Sequence, residues 1–135
     1  MTPRALRAAT LELVAPRADV WGFLAEPYHL SDWWPGITGV EPDRRGFAPG
    51  ARWKVHATKR NVFTGGRVVE TMLLVREIDP FERWTWHLLE PATDVEVRLH
   101  AHGEDRTRVM VATSRGNPRL AVKRLYDLVQ TAATW

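Results

Sequence analysis

With 135 residues, 44% hydrophobic and 26% charged, the chain matches one ordinary globular domain, which buries about 68% of the surface its unfolded form exposes. The absence of cysteine excludes a disulfide framework and a thiolate metal site, and it fits a reducing compartment. The formal charge of +3 comes largely from residues 98–124, where Arg98, Arg106, Arg108, Arg115, Arg119, Lys123 and Arg124 stand against Glu104 and Asp105. These cations form no dense run and no aromatics interleave them, so a solvated face is expected and nucleic acid is not expected as a partner.

Charge interrupts the first residues, Met1 to Arg7, before any apolar run reaches signal-peptide length, and no later stretch approaches 18 apolar residues. A cytoplasmic protein without integral membrane association is therefore expected. Residues 10–14 alternate apolar and polar as a half-buried strand does, and Ala15-Pro16 ends that strand. Pro16 and Asp19 suit the start of a short helix, in which Val20, Trp21 and Leu24 share a face. A second short helix opens at Glu26-Pro27-Tyr28 and stops at Trp34-Pro35-Gly36.

Strands then follow one another to Ser114. Residues 37–43 read as an edge-like strand, with a turn punctuated by Pro49-Gly50. On residues 52–57, Trp53, Val55 and Ala57 fall on one face and Arg52, Lys54 and His56 on the other. Gly65-Gly66 should turn the chain into a long strand over residues 67–79, which Asp79-Pro80 breaks. Trp84, Trp86 and Leu88 face inward on the next strand, Val95, Val97 and Leu99 on the one after. Thr107, Val109, Val111 and Thr113 do so on the last. Matching the final two sets pairs Leu99 with Val109 and Ala101 with Thr107, which requires an odd loop centred on Glu104. A long helix opens at Asn117-Pro118, with Ala121, Val122, Leu125, Leu128, Val129 and Ala132 on its apolar stripe.

A helix is about 10 Å wide, whereas seven strands about 4.8 Å apart span roughly 30 Å. The sheet should therefore curl around the closing helix, leaving either a solid aromatic core or a pocket for an apolar guest.

The order strand, Ala15-Pro16-Arg17-Ala18-Asp19-Val20-Trp21, Trp33-Trp34-Pro35-Gly36-Ile37, Gly50-Ala51-Arg52-Trp53, Glu77-Ile78-Asp79-Pro80, Arg106-Thr107-Arg108-Val109 and closing helix resembles the SRPBCC or START-like superfamily over almost the whole chain. Its members include lipid-transfer domains, polyketide cyclases and aromatases, and co-chaperone ATPase activators. The resemblance implies an α+β helix-grip fold. In it a seven-stranded curved antiparallel sheet wraps a long C-terminal helix, two short helices lie between strands 1 and 2, and residues 1–135 form a single ligand-binding domain. Because the chain stops at Trp135, soon after the helix stripe, the far end of such a cavity is expected to be less covered.

Two functions are compatible with this reading. In the first, an apolar or lipid-like small molecule is bound within the sheet and helix by Trp34, Trp53, Val55, Glu70, Met72, Trp84, Trp86, Val97 and Leu125. In the second, a polyketide cyclase, aromatase or dehydratase-like enzyme uses Glu70 as general base. The strand carrying Glu70 is apolar on both parities, so either Glu70 or Thr71 points inward. His56, His87, His100 and His102 fall on outward positions, while His29 and Tyr28 on the second helix stand near a cavity rim. No metal-ligand spacing, phosphate-cradling loop or nucleophile elbow occurs, so no metal or cofactor is expected. Whether the chain turns a substrate over, and whether it forms a homodimer, stays open at this stage.

Overall fold

The computed structural model describes residues 6–61 and 65–133, with side chains over 6–58 and 66–129. The expectations resting on Met1 to Ala5, on the Ala132 side chain and on Trp135 lie outside those residues. One antiparallel sheet carries β1 (Arg7–Leu13), β2 (Ile37–Glu41), β3 (Arg52–Asn61), β4 (Gly65–Asp79), β5 (Arg83–Leu88), β6 (Thr93–Ala101) and β7 (Thr107–Thr113). Their spatial order is β1-β7-β6-β5-β4-β3-β2, so β1 and β2 form the edges.

Between β1 and β2 run α1 (Arg17–Leu24), a 3₁₀ turn (Pro27–His29) and α2 (Leu30–Trp33). Pro16 stands just before α1 in extended backbone, and the Glu26 carboxylate accepts the Tyr28 N–H at the start of the 3₁₀ turn. The closing helix, α3 (Pro118–Ala133), has proline at its first position, and the Asn117 side chain accepts the Leu120 N–H at 3.1 Å. Such a cap contributes about 1 kcal/mol.

The register of β6 on β7 pairs Leu99 with Val109, His100 with Arg108 and Ala101 with Thr107, leaving residues 102–106 as the odd loop. Several strand limits differ from the sequence reading: β1 begins at Arg7 and ends at Leu13, and β2 ends at Glu41. β3 extends to Asn61, which pairs with Gly65, so both glycines of Gly65-Gly66 belong to β4. The ladder between these strands continues wherever partners are available, and glycine does not forbid pairing.

The closing helix does not cover the sheet alone. α3 packs on β1 and β7 and touches α1 and α2, while α2 packs on β2. The concave face is therefore shared by three helices. Leu125 and Ala121 of α3 are fully buried, and so are Trp33 and Leu30 of α2.

Candidate functional site

The middle of the concave face is aromatic. Trp53 comes from β3 and Trp84 and Trp86 from β5, all at inward positions, and Trp33 and Trp34 descend on them from the end of α2. Phe47, in the β2–β3 loop, meets Trp84 edge-on at 5.0 Å between centroids, and Trp53 and Trp84 lie 5.9 Å apart. Trp34 packs edge-on to both Trp33, at 5.6 Å, and Trp86, at 5.0 Å. Each buried indole removes about 150–250 Å² from water, worth roughly 4–6 kcal/mol before entropy. Trp53 also donates its indole N–H to the Gly46 carbonyl at 2.7 Å. The buried indole nitrogens of Trp33, Trp84 and Trp86 have no partner among the described residues. Such donors each cost about 1–3 kcal/mol, which the surrounding apolar packing offsets.

Trp53, Val55, Trp84, Trp86, Val97 and Leu125, expected to wall a cavity, are at most 1% exposed and belong to one contiguous hydrophobic cluster. They pack on one another and do not line the pocket that the fold forms at one end of the trough. That pocket has a volume of about 330 Å³. One wall is Trp34-Pro35-Gly36-Ile37 at the α2–β2 junction, and the floor is Ala57 and Thr58 of β3. Leu88, Pro91 and Thr93 close it from the β5–β6 connection, and Arg115-Gly116 from the β7–α3 connection.

The pocket opens here because the inward positions are small. Ala57 opposes Ile37 across β2 and β3, where Trp53 fills the same face four residues earlier. Gly36 and Gly116 sit at φ of 91° and 92°, a backbone region that favours glycine, so no side chain projects from either turn. The polar groups at the rim are largely engaged. The Thr58 N–H donates to the Gly36 carbonyl at 2.7 Å, and the Thr93 hydroxyl donates to the Pro91 carbonyl at 2.6 Å. Buried Thr113 donates its hydroxyl to the Arg115 carbonyl at 2.5 Å and accepts the Arg115 N–H at 3.2 Å.

Glu70 and Met72 are on the opposite face. Trp53 pairs with Leu73 and Val55 with Thr71, so the odd-numbered residues of this part of β4 face inward. Glu70 then stands opposite His56 on the convex face, exposed, with its carboxylate 3.7 Å from the Lys54 ammonium. Met72 stands opposite Lys54 on that same face. Thr71 takes the inward position and accepts the Glu90 N–H at 2.9 Å. A bulge between Val75 and Glu77 then reverses the parity and brings Ile78 opposite Trp84. Val68, Met72 and Leu74, which make the strand apolar on its other parity, precede this bulge and stand opposite Thr58, Lys54 and Arg52 on the convex face.

His29 is also structural. Its Nδ1–H donates to the Phe23 carbonyl at 2.8 Å and its ring stacks on Phe23 at 4.1 Å, tying the 3₁₀ turn to α1. Tyr28 is 61% exposed and does not line the pocket. His87 and His102 meet Asp94 and Glu12, each at 2.7 Å, outside the trough. The convex face further carries Arg83, bonded to Glu77 at 2.6 Å and to Glu96 at 3.0 Å, while Arg98 reaches Glu96 at 2.6 Å. Burial pushes the Glu96 carboxyl up, but the hydrogen bonds from Arg98 and Arg83 outweigh it and hold the group below its ordinary value.

A curved seven-stranded antiparallel sheet gripping a closing helix, with a pocket at one end, defines a START-like helix-grip fold. Within it, the chain belongs to the family described as Activator of Hsp90 ATPase homolog 1-like protein, which residues 14–133 match. Among solved structures, a protein from Nitrosomonas europaea superposes with a TM-score of 0.71 at 16% identity, covering 100% of both chains. A START superfamily protein from Mycobacterium smegmatis gives 0.64 at 13% identity, over 96% of this chain and 97% of that one. The di-domain ARO/CYC StfQ from the steffimycin biosynthetic pathway gives 0.69 at 16% identity, over 95% of this chain and 46% of that one. At these identities the likeness establishes the fold. A comparison with curated proteins gives no significant match. Among the described residues no helix is long and apolar enough to cross a membrane.

Proposed function

We propose that the protein binds an apolar or aromatic small molecule in the pocket at the end of the trough, with Trp34, Ile37, Ala57 and Leu88 as its principal contacts. The observation that carries this reading is a pocket of about 330 Å³ walled by those side chains. Its size lies at the small end of the roughly 300–1,000 Å³ usual for ligand sites. Trp34 supplies a flat face at the rim and is itself braced by Trp33 and Trp86. A guest entering here displaces none of the indoles that hold the sheet together. The superfamily's small-molecule-binding members lend the reading general support.

The cyclase-like alternative loses its named base, because a carboxylate exposed on the convex face and paired with Lys54 cannot reach a guest in the trough. Titration of the neutral fluorophore N-phenyl-1-naphthylamine tests the binding reading. Saturable enhancement of its emission, lost in Ala57→Phe while the circular dichroism spectrum is kept, is the expected result. Absence of saturable binding by the wild-type protein across a panel of flat apolar probes would overturn it.

A further inference from the structure

The pocket is apolar on its sides and cationic at one point. Among its described lining residues Arg115 alone carries a charge, while Trp34, Pro35, Ile37, Leu88 and Pro91 supply apolar surface. The backbone of Arg115 is fixed on both sides. The buried Thr113 hydroxyl bonds both its N–H and its carbonyl, and Gly116 turns the chain immediately afterwards at φ of 92°. Among the described residues no carboxylate pairs with its guanidinium, whereas Arg83 and Arg98 on the convex face are both engaged with acids. The potential around it is raised further by Arg7, which donates to the Gly116 carbonyl at 3.2 Å, and by Arg119, both lining the adjoining cleft. No residue of α3 lines this pocket, so the N–H groups that open the helix do not supply this charge recognition.

Resting on the proposal that this pocket is the ligand site, we infer that its guest is an amphiphile with a flat or branched apolar body and one anionic group, met by the Arg115 guanidinium. A planar fork of donors on a fixed backbone favours a carboxylate or sulfonate over a neutral polar group. The site is open to water, so the charge adds selectivity on top of apolar contact and is screened by salt.

The test compares two probes sharing one ring skeleton, the anionic 1-anilinonaphthalene-8-sulfonate and the neutral N-phenyl-1-naphthylamine, against wild type, Arg115→Gln and Arg115→Lys. In low salt, Arg115→Gln is expected to lower the ratio of anion to neutral affinity about tenfold by weakening the anion alone, and Arg115→Lys to keep most of that ratio. Raising the salt to about 0.5 M should shrink the wild-type ratio toward that of Arg115→Gln. An unchanged ratio in Arg115→Gln, with both probes still bound, overturns the anion inference and leaves the pocket standing. Failure of the anionic probe alone to bind the wild-type protein likewise overturns the anion inference only, whereas absence of saturable binding by both probes and by the wider panel of flat apolar probes overturns both.

Discussion

Two ends of one trough use the same sheet and the same inward alternation to opposite ends. Toward the β2–β3 loop, positions on the concave face hold Trp53, Trp84 and Trp86, and Trp33 and Phe47 reach down to meet them. Toward the β7–α3 connection the corresponding positions hold Ala57, Thr93 and the turn glycines Gly36 and Gly116, and space remains between them. Side-chain volume on a common backbone thus decides where the fold is a core and where it is a receptacle. Trp34 belongs to both, with its inner edge on Trp86 and its outer surface on the pocket.

The sharpest way to break this contrast is to hollow the filled end. Trp84→Ala should cost about 3–5 kcal/mol in urea unfolding. Trp84→Phe should cost about half as much, because it also removes a buried donor that has no partner among the described residues. A small loss for the alanine variant would mean that the aromatic cluster is not the main source of stability. Filling the hollow end should do the reverse. Ala57→Phe should weaken probe binding at least about tenfold, with a stability change of about 1–2 kcal/mol. Retained affinity would move the site elsewhere.

The convex face serves as the control surface. The Glu96 carboxyl is held below its ordinary value of 4.5, so between the folded and unfolded values the folded chain binds fewer protons. Its stabilising contribution is therefore complete above pH 4.5 and disappears as pH falls through the lower folded value. Glu96→Gln should lower stability by about 1 kcal/mol at neutral pH and flatten the acid limb of the pH profile. An unaltered acid limb would remove Glu96 from the account. The smallest effect belongs to Glu70→Gln, expected within about 0.5 kcal/mol in stability and silent in probe binding. A loss of binding in that variant would reopen a role for this carboxylate.

The succession of strands along the chain, most of the inward set and the odd loop at Glu104 could be read from the sequence because two-residue alternation leaves little freedom where one face is buried, as for Val95, Val97 and Leu99. Placement of the Glu70 segment could not. Both parities of β4 are apolar there, and only the pairing of Trp53 with Leu73 and the bulge after Val75 decide between them. The pocket escaped notice for a related reason. Large aromatics signal burial in a sequence, but room is signalled by small residues such as Ala57, Gly36 and Gly116, which are common everywhere. Arg115 was visible only as one cation among seven in its region, and its relation to the pocket depends on how the β7–α3 turn closes.

Fluorine NMR of the protein labelled with 5-fluorotryptophan, its resonances assigned by single Trp→Phe variants, tests most directly where a guest resides. On titration with N-phenyl-1-naphthylamine, the Trp34 resonance should move to saturation while those of Trp53 and Trp84 stay in place. Movement of Trp53 and Trp84 with Trp34 unchanged would locate the guest among the packed indoles and contradict the division of the trough into a filled end and an open one.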